Sequence, residues 1–178
     1  MSGREPGPLL AASYETPAGD LLVVVDPHAV GDRGPRPYGA VVLGSFRGLD
    51  EEDERLPLSR PVHARTVVPE IADVLARYGS GDVDALDEVS VLQAGGPFQQ
   101  QAWVAMRGIR AGAIETYGGL ARRAGHPRAA RAAGTACAIN LVAPFVPCHR
   151  VVASDGLGGY GYGTDIKIHL LEHEGVVL

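Results

Sequence analysis

The chain has 178 residues, of which 46% are apolar and 21% are charged. This composition is that of a globular protein, and the length allows one large domain or two small ones. No apolar run approaches the roughly 20 residues that span a bilayer, and the first residues do not form a signal peptide. The two cysteines, Cys137 and Cys148, are too few for a disulfide framework and fit a reducing compartment. We therefore expect a cytoplasmic protein with no membrane partner.

Taken over the whole chain, the net charge of −5 argues against a nucleic-acid-binding protein. The charge is, however, unevenly distributed along the sequence. Residues 1–100 hold 8 Lys and Arg against 16 Asp and Glu, a net charge of −8. Residues 101–178 hold 8 Lys and Arg against 5 Asp and Glu, a net charge of +3. This asymmetry fits a C-terminal part that faces DNA and an acidic part that is turned away from it.

The N-terminal part is predicted to be mostly β with one helix. Apolar or alternating runs typical of strands occur at Leu9 to Tyr14, Leu21 to Asp26 and Ala40 to Phe46. The acidic run Asp50 to Glu54 is predicted to be a surface loop. Pro69 can open a helix, because its missing N–H is not needed in the first turn. Leu86 to Gln93 is predicted to be an extended linker.

The N-terminal part offers no set of metal ligands. Its two histidines, His28 and His63, have no cysteine near them, and no cysteine precedes Cys137. A structural zinc site needs four ligands, usually with thiolates among them. We therefore expect no metal, and no other cofactor.

The C-terminal part is predicted to be mainly helical. Pro97 starts a helix that Arg110-Ala111-Gly112 closes. Thr116 is a plausible N-cap for a short helix from Tyr117 to Ala124, which Gly125 ends. Pro127 is predicted to open a further helix that runs to about Cys137. Helix, glycine turn and helix together predict a helix-turn-helix motif. The fold expected is α/β, with an N-terminal mixed domain at residues 1–90 and a C-terminal domain at residues 91–178.

Within the C-terminal part, Pro147-Cys148-His149-Arg150 follows the apolar run Leu141 to Val146. A thiolate is the nucleophilic form of cysteine, and a free thiol with a pKa of about 8.5 needs a neighbouring base or positive charge to form it. Adjacent residues in a strand point to opposite faces, so contact between Cys148 and His149 would need a turn or a bridging water. By itself the pair also fits a buried structural cysteine.

Several linked motifs decide between these interpretations. They are Gly96 to Trp103, Thr116 to Gly118, Arg128 to Gly134, Asn140, Pro147 to Val152, and Leu170 to Gly175. Their order and spacing closely resemble those of the O6-alkylguanine-DNA alkyltransferases over residues 96–175, whereas the first 95 residues resemble that family only loosely. The resemblance implies repair of double-stranded DNA by irreversible transfer of an alkyl group to a cysteine, after the damaged guanine has left the base stack.

The resemblance also assigns roles to residues of the expected active site. Cys148 corresponds to the alkyl acceptor. His149 would hold a water against the sulfur and Glu174 would orient the imidazole. Asn140 matches a hinge asparagine, and Tyr117 a tyrosine that aids flipping and donates a proton to the departing guanine. The expected substrate pocket includes Tyr160, in a glycine-rich loop, with Val151 and Pro147 beside the cysteine.

The expected DNA-binding helix is rich in small residues, namely Ala129, Ala130, Ala132 and Gly134, around Arg128 and Arg131. Such a helix can simply be well packed, but a small face also lets it approach the minor groove, which is about 6 Å wide. Members of the family resembled place the matching helix there, and Arg131 occupies the position of their intercalating residue. We expect the protein to act as a monomer.

Three departures from the family pattern lie near this site. Leu141 stands where the family usually has proline, Ile139 where glycine is common, and Cys137 is unusual at the end of the recognition helix. Three other functions stay open. They are a cysteine hydrolase that uses Cys148 and His149, a lesion-binding protein without repair activity, and a regulatory protein that signals through its alkylated form.

Overall fold

The structure is a computed structural model that describes residues 7–52 and 60–178. A four-stranded sheet has the order β3-β2-β1-β4. Its strands are β1 (Leu9–Thr16), β2 (Gly19–Asp26), β3 (Ala40–Ser45) and β4 (Val62–Ala64). The first three strands are antiparallel neighbours, and β4 pairs with β1 in parallel. The three predicted strands are confirmed, whereas the short β4 was not predicted.

Strand β2 is buried on both faces, which explains its unbroken run of apolar residues. Leu21, Val23 and Val25 belong to the main core, whereas Leu22 and Val24 pack in a second cluster on the opposite face. Successive side chains of a strand alternate between faces, so a run of five apolar residues serves two apolar layers.

Two predictions for the N-terminal part were wrong in detail. Residues 50–52 are not a loop but belong to a short helix, α1 (Leu49–Glu52), and residues 53 and 54 lie outside the described part of the chain. The predicted helix at Pro69 is confirmed as α2 (Pro69–Gly79). The predicted linker is not extended throughout, because Ala85–Glu88 form a 3-10 turn whose Ala85 and Leu86 are buried in the main core. The N-terminal part thus has more helical structure than the one helix predicted.

The C-terminal part contains α3 (Pro97–Arg107), α4 (Tyr117–Arg123), α5 (Ala130–Ala138) and α6 (Thr164–His173). A pair of short parallel strands, β5 (Glu115–Thr116) and β6 (Val151–Val152), lies between them. The Thr116 side chain accepts a hydrogen bond from the Gly119 N–H at 3.0 Å, so its predicted role as the N-cap of α4 is confirmed.

Two helix bounds differ from the prediction. Helix α3 ends at Arg107 instead of continuing to residue 110, because the Gly108 N–H turns back to the Ala105 carbonyl. Helix α5 begins at Ala130 and not at Pro127, because the Ala129 N–H bonds to the His126 carbonyl and closes a separate turn before the helix.

One cluster of buried apolar side chains runs through both parts of the chain. It includes Val41 from the sheet, Tyr78 from α2, Met106 from α3 and Leu170 from α6. The predicted boundary between residues 90 and 91 stays a prediction. Within the described ranges, no helix combines the length and apolar character that crossing a bilayer requires.

Candidate active site

Cys148 lies at a sharp turn after the apolar run, and only 7% of it is exposed. Its N–H bonds to the Val146 carbonyl at 2.9 Å, and Cys148–Arg150 form a 3-10 turn that leads into β6. The backbone around the cysteine is therefore a turn and not a strand. This removes the geometric obstacle that alternation along a strand would place between adjacent side chains.

The Asn140 side chain links the end of α5 to the cysteine. Its Nδ2 donates to the Val146 carbonyl at 2.8 Å and to Cys148 Sγ at 3.2 Å. Its Oδ1 accepts from the Val142 N–H at 3.1 Å and from Gln93 Nε2 at 3.0 Å. Every hydrogen-bonding position of this buried amide is engaged, so its orientation is defined.

His149 and Glu174 meet although 24 residues separate them in the sequence. His149 Nε2 lies 2.9 Å from Glu174 Oε1, and both side chains are buried. Arg150 donates to both oxygens of the same carboxylate at 2.9 Å, and Tyr78 Oη donates to Oε1 at 3.1 Å. The carboxylate thus joins α2 and the cysteine turn in one network.

The charges in this network follow from burial and contact. Burial alone would raise the pKa of Glu174, but His149 and Arg150 lower it to about 2. Burial lowers the pKa of His149 below its ordinary value, so the ring is neutral near pH 7. A carboxylate can only accept, so Nε2 of the neutral ring carries the proton and Nδ1 keeps a free lone pair. Nδ1 is buried and has no hydrogen-bond partner within the described residues.

The thiols are protonated in the resting protein. Burial raises the pKa of Cys148, although the Asn140 hydrogen bond and the charge of Lys167 oppose this rise. Burial likewise raises the pKa of Cys137 and of Tyr117. Both Lys167 and Asn140 would stabilise a thiolate at Cys148 once a base had taken the proton.

A cavity of about 490 Å³ opens onto Cys148. Its lining comprises Arg47, Tyr117, Gly134, Cys137, Ala138, Asn140, Cys148, Gly159, Tyr160, Gly161 and Tyr162. Five of the predicted residues, Tyr117, Gly134, Asn140, Cys148 and Tyr160, therefore share one cavity. The hydroxyl of Tyr160 is buried near the Cys148 thiol, and its interaction with that thiol opposes the rise in the pKa of Cys148. A cavity of this size can hold a purine base.

Two predicted pocket residues are placed differently. Pro147 and Val151 are buried beside Cys148 but are not among the residues that line the cavity. The Val151 carbonyl accepts a hydrogen bond from Lys167 Nζ at 2.7 Å, so this backbone oxygen is already engaged. Their predicted contact with the base stays a prediction.

The predicted DNA-binding residues lie on the surface around α5. Arg128, Ala130, Arg131 and Ala132 are exposed, and Ala129 and Gly134 are half-buried. Arg128 and Ala129 precede the helix, in the turn after α4. Arg131 lies three residues before Gly134 and seven before Ala138, which both line the cavity, so it shares their face of α5. The helix therefore carries an exposed arginine beside the cavity.

Sequence reasoning missed several residues that build the site. Gln93 contacts Asn140, Tyr78 contacts Glu174, and the fully buried Lys167 donates to the Val151 and Gly159 carbonyls. Arg47 and Tyr162 line the cavity, and the Arg47 guanidinium donates to the Gly161 carbonyl at 2.6 Å. For Lys167 the sequence held a usable signal, because Lys167 lies three and four positions before Leu170 and Leu171, on the apolar stripe of α6. The others depend on contacts between distant segments. Within residues 7–52 and 60–178, no cluster of His, Cys, Asp and Glu could hold a metal ion.

The site and the helix-turn-helix beside it match a known class of domain. Residues 97–176 match the model of the 6-O-methylguanine DNA methyltransferase, DNA binding domain. The Mycobacterium tuberculosis O6-methylguanine methyltransferase has a similar structure, with a TM-score of 0.70 and 30% identity over 93% of this chain and 92% of that one. The M. tuberculosis OGT in complex with DNA has a TM-score of 0.68 and 27% identity, over the same shares of the two chains. The chain therefore contains a DNA-binding domain of this class.

Relatives named methylated-DNA–protein-cysteine methyltransferase extend the likeness. The protein of Haemophilus influenzae is 32% identical over 165 residues, which are 90% of this chain and 83% of that one. The protein of Methanosarcina mazei is 36% identical over 145 residues, 77% of this chain and 90% of that one. That of Salmonella typhimurium is 42% identical over 109 residues, 61% of this chain and only 64% of its own length. The chain belongs to the methylated-DNA–protein-cysteine methyltransferase family.

Proposed function

We propose that the protein repairs O6-alkylguanine in double-stranded DNA by one irreversible transfer of the alkyl group to Cys148. The observation that carries the proposal is the thiol in the wall of a 490 Å³ cavity that it shares with α5. The names of the relatives support methylated DNA as the substrate. No cofactor is required, because the DNA supplies the alkyl group and the protein supplies the acceptor.

The minor groove is the proposed binding site for α5. Its exposed residues Ala130 and Ala132 and the half-buried Gly134 present little bulk, so the helix can approach a groove about 6 Å wide. Arg128 is exposed in the preceding turn and would contact a phosphate. One chain supplies the helix, the cavity and the thiol together. We therefore propose a monomer that acts in the cytoplasm, in which residues 91–178 carry the chemistry and residues 1–90 form the second domain.

Extrusion of the guanine is required because its O6 atom cannot reach a protein nucleophile inside the stack. Arg131 lies on the cavity-facing side of α5 and would fill the space that the base leaves. Tyr117 lines the same cavity at the start of α4. Because burial raises its pKa, its phenol stays protonated and can donate to the departing guanine.

Activation of Cys148 would use the free lone pair of His149 Nδ1, through a bridging water. The proton moves from Sγ to the imidazole, and the neighbouring Glu174 carboxylate stabilises the cation formed. Asn140 Nδ2 and the charge of Lys167 stabilise the thiolate. The bond from Sγ to the alkyl carbon then forms as the bond from that carbon to O6 breaks. Tyr117 protonates the guanine and recovers a proton from His149 through solvent.

The product at Cys148 would be a thioether, which has no acidic proton and is a poor leaving group. Among the described residues that line the cavity, none is suited to remove the alkyl group, so each molecule would react once. The proposed activity is that of a single-turnover methylated-DNA–[protein]-cysteine S-methyltransferase.

An oligonucleotide assay tests this function. A duplex with one O6-methylguanine is supplied in several-fold excess over the protein, and repaired duplex is counted. We expect repair to stop at one duplex per chain, and Cys148→Ala to repair none. Continued turnover would contradict the single-use mechanism. Tight binding of the lesion by the intact protein without any repair would instead indicate a lesion-binding protein.

A further inference from the structure

Gln93, in the segment before α3, makes an unusual double contact with the end of α5. Its Nε2 donates to Asn140 Oδ1 at 3.0 Å, and its Oε1 accepts from the Leu141 N–H at 3.0 Å. Its own backbone carbonyl accepts from the exposed Gln100 side chain, through Nε2 at 2.8 Å. One side-chain amide thus engages two consecutive residues that lead into the active site.

The second of these contacts depends on the residue at position 141. Proline has no N–H, so the hydrogen bond to Gln93 Oε1 requires a residue such as leucine at this position. Because the Leu141 N–H can only donate, it fixes Oε1 on its side and directs the Gln93 Nε2 donor toward Asn140 Oδ1. The leucine that departs from the family pattern is therefore part of a defined contact.

The contact with Asn140 helps to determine which end of that amide faces the thiol. With Oδ1 held by Gln93 Nε2 and the Val142 N–H, Nδ2 must point to the Val146 carbonyl and to Cys148 Sγ. A rotated amide would bring two donors against Nδ2 and place an oxygen against the sulfur. That oxygen would repel a thiolate.

We propose that Gln93 is a positioning residue for the reaction at Cys148, and that it holds the Asn140 amide in the orientation that donates to Sγ. This inference rests on the function proposed above, because the thiolate of Cys148 is the reacting species there. Gln93 does not line the cavity, so it acts through Asn140 and not on the substrate.

Other groups around Cys148 also influence how readily its thiol ionises. They are Tyr117 from α4, Cys137 from α5, Tyr160 from the glycine-rich loop, Lys167 from α6 and His149 in the cysteine turn. None of them contacts Gln93 through a hydrogen bond found within the described residues. A change at the Gln93 side chain can therefore be assigned to its contacts with Asn140 and Leu141.

The test compares the wild-type protein with Gln93→Met, Gln93→Glu and Gln100→Ala. Methionine has a similar shape and removes both hydrogen bonds. Glutamate keeps an acceptor for the Leu141 N–H but sets an anionic oxygen against Asn140 Oδ1. Gln100→Ala is the matched control, because it removes the neighbouring contact to the Gln93 carbonyl and leaves the amide in place.

Two readouts are measured for each variant. The first is the pH profile of Cys148 alkylation by iodoacetamide, followed on the Cys148 peptide by mass spectrometry. The second is the single-turnover rate on a duplex with O6-methylguanine. In Gln93→Met we expect a profile displaced to higher pH and a rate about fivefold lower at pH 7, as loss of one ordinary hydrogen bond produces. The pH profile of Gln93→Glu should be displaced further, and Gln100→Ala should match the wild type in both readouts.

Unchanged pH profiles and rates in both Gln93 variants would overturn the inference. So would an equal loss of rate at every pH together with a lower melting temperature, which is the signature of a merely structural residue. The iodoacetamide profile needs no alkylated DNA. If the wild type fails to repair DNA while the displacement in Gln93→Met persists, the proposed function fails and the positioning role stands.

Discussion

The surface of α5 and the network behind Cys148 are built in opposite ways. The helix offers exposed residues that are close together in the sequence, such as Arg128, Ala130 and Arg131. The network joins buried residues from distant segments, so that Tyr78 and Glu174 meet across 96 positions. A candidate DNA-binding surface can thus be predicted from one short motif, whereas the environment of the candidate nucleophile depends on how the whole chain packs.

The largest effect is expected from the buried carboxylate, because removal of one partner leaves Arg150 as an uncompensated charge. We expect Glu174→Gln to lower the free energy of unfolding by about 3 to 5 kcal/mol. The exposed neighbour Glu172 provides the control, Glu172→Gln, for which little change is expected. Chemical denaturation at pH 7 measures the free energy of unfolding of both variants. Equal values for the two variants would contradict the predicted difference between the buried and the exposed carboxylate.

The same network predicts how stability depends on pH. His149 has a folded pKa below its usual 6.5, so the unfolded chain binds more protons and stability falls as pH drops below about 6.5. Glu174 has a folded pKa of about 2 against 4.5, so a further loss follows between those values. In Glu174→Gln the loss below pH 4.5 should be smaller. Denaturation at a series of pH values checks this, and an identical slope in the variant would contradict it.

A somewhat smaller effect is expected at His149, the proposed general base. His149→Gln removes the free lone pair but keeps the Arg150–Glu174 pair, and the rate of methyl transfer from duplex DNA should fall about 100-fold or more. His169→Gln, at an exposed position of α6, is the control and should react at the wild-type rate. A single-turnover rate within about threefold of the wild type would exclude His149 as the base.

On the surface of α5, Arg131→Ala should separate flipping from chemistry. Without the long side chain the unstacking cost is uncompensated, so the reaction with duplex O6-methylguanine should slow at least about tenfold. The reaction with the free base O6-benzylguanine should be nearly normal, since that substrate has no stack to leave.

Arg128→Ala is the comparison for Arg131. Because Arg128 is proposed to contact a phosphate, its removal should weaken binding to all DNA alike. It should also lower the slope of the logarithm of affinity against the logarithm of salt concentration by about one unit. Equal losses of Arg131→Ala on duplex and free base would count against an intercalating role and point to a damaged fold.

The smallest effect is expected at the second cysteine. Cys137 lines the cavity, no hydrogen bond joins its thiol to a base in the part of the chain that the structure describes, and burial raises the pKa of that thiol. It also lies in the last turn of α5, where the helix dipole disfavours an anion. We expect Cys137→Ser to keep its transfer rate within about threefold of the wild type. A loss comparable to that of Cys148→Ala would make Cys137 a participant in the chemistry.

The sequence predicted the parts of this molecule that depend on local patterns. Apolar or alternating runs predicted β1 to β3, Pro69 and Pro97 marked helix starts, and Thr116 was predicted as an N-cap. It misplaced the start of α5, because Pro127 fits a turn as well as a first helical position. Short elements such as α1 were missed because four residues carry too little periodicity.

For the site, the motifs predicted Cys148, Asn140 and Tyr117 as neighbours, and the cavity brings them together. Gln93, Tyr78 and Arg47 could not be predicted, because each reaches the site from a segment distant in the sequence. No local pattern records which distant segment will supply a hydrogen bond to a given side chain. Only packing decides that.

The central claim is that one of two thiols in the same cavity accepts the alkyl group. The most direct test is to react the protein with an excess of duplex O6-methylguanine DNA, weigh the intact chain and map the modified peptide. The account predicts one added methyl per chain, on the peptide that contains Cys148, and an unmodified Cys137. A methyl on Cys137, or an unmodified chain after the DNA has been repaired, would contradict it.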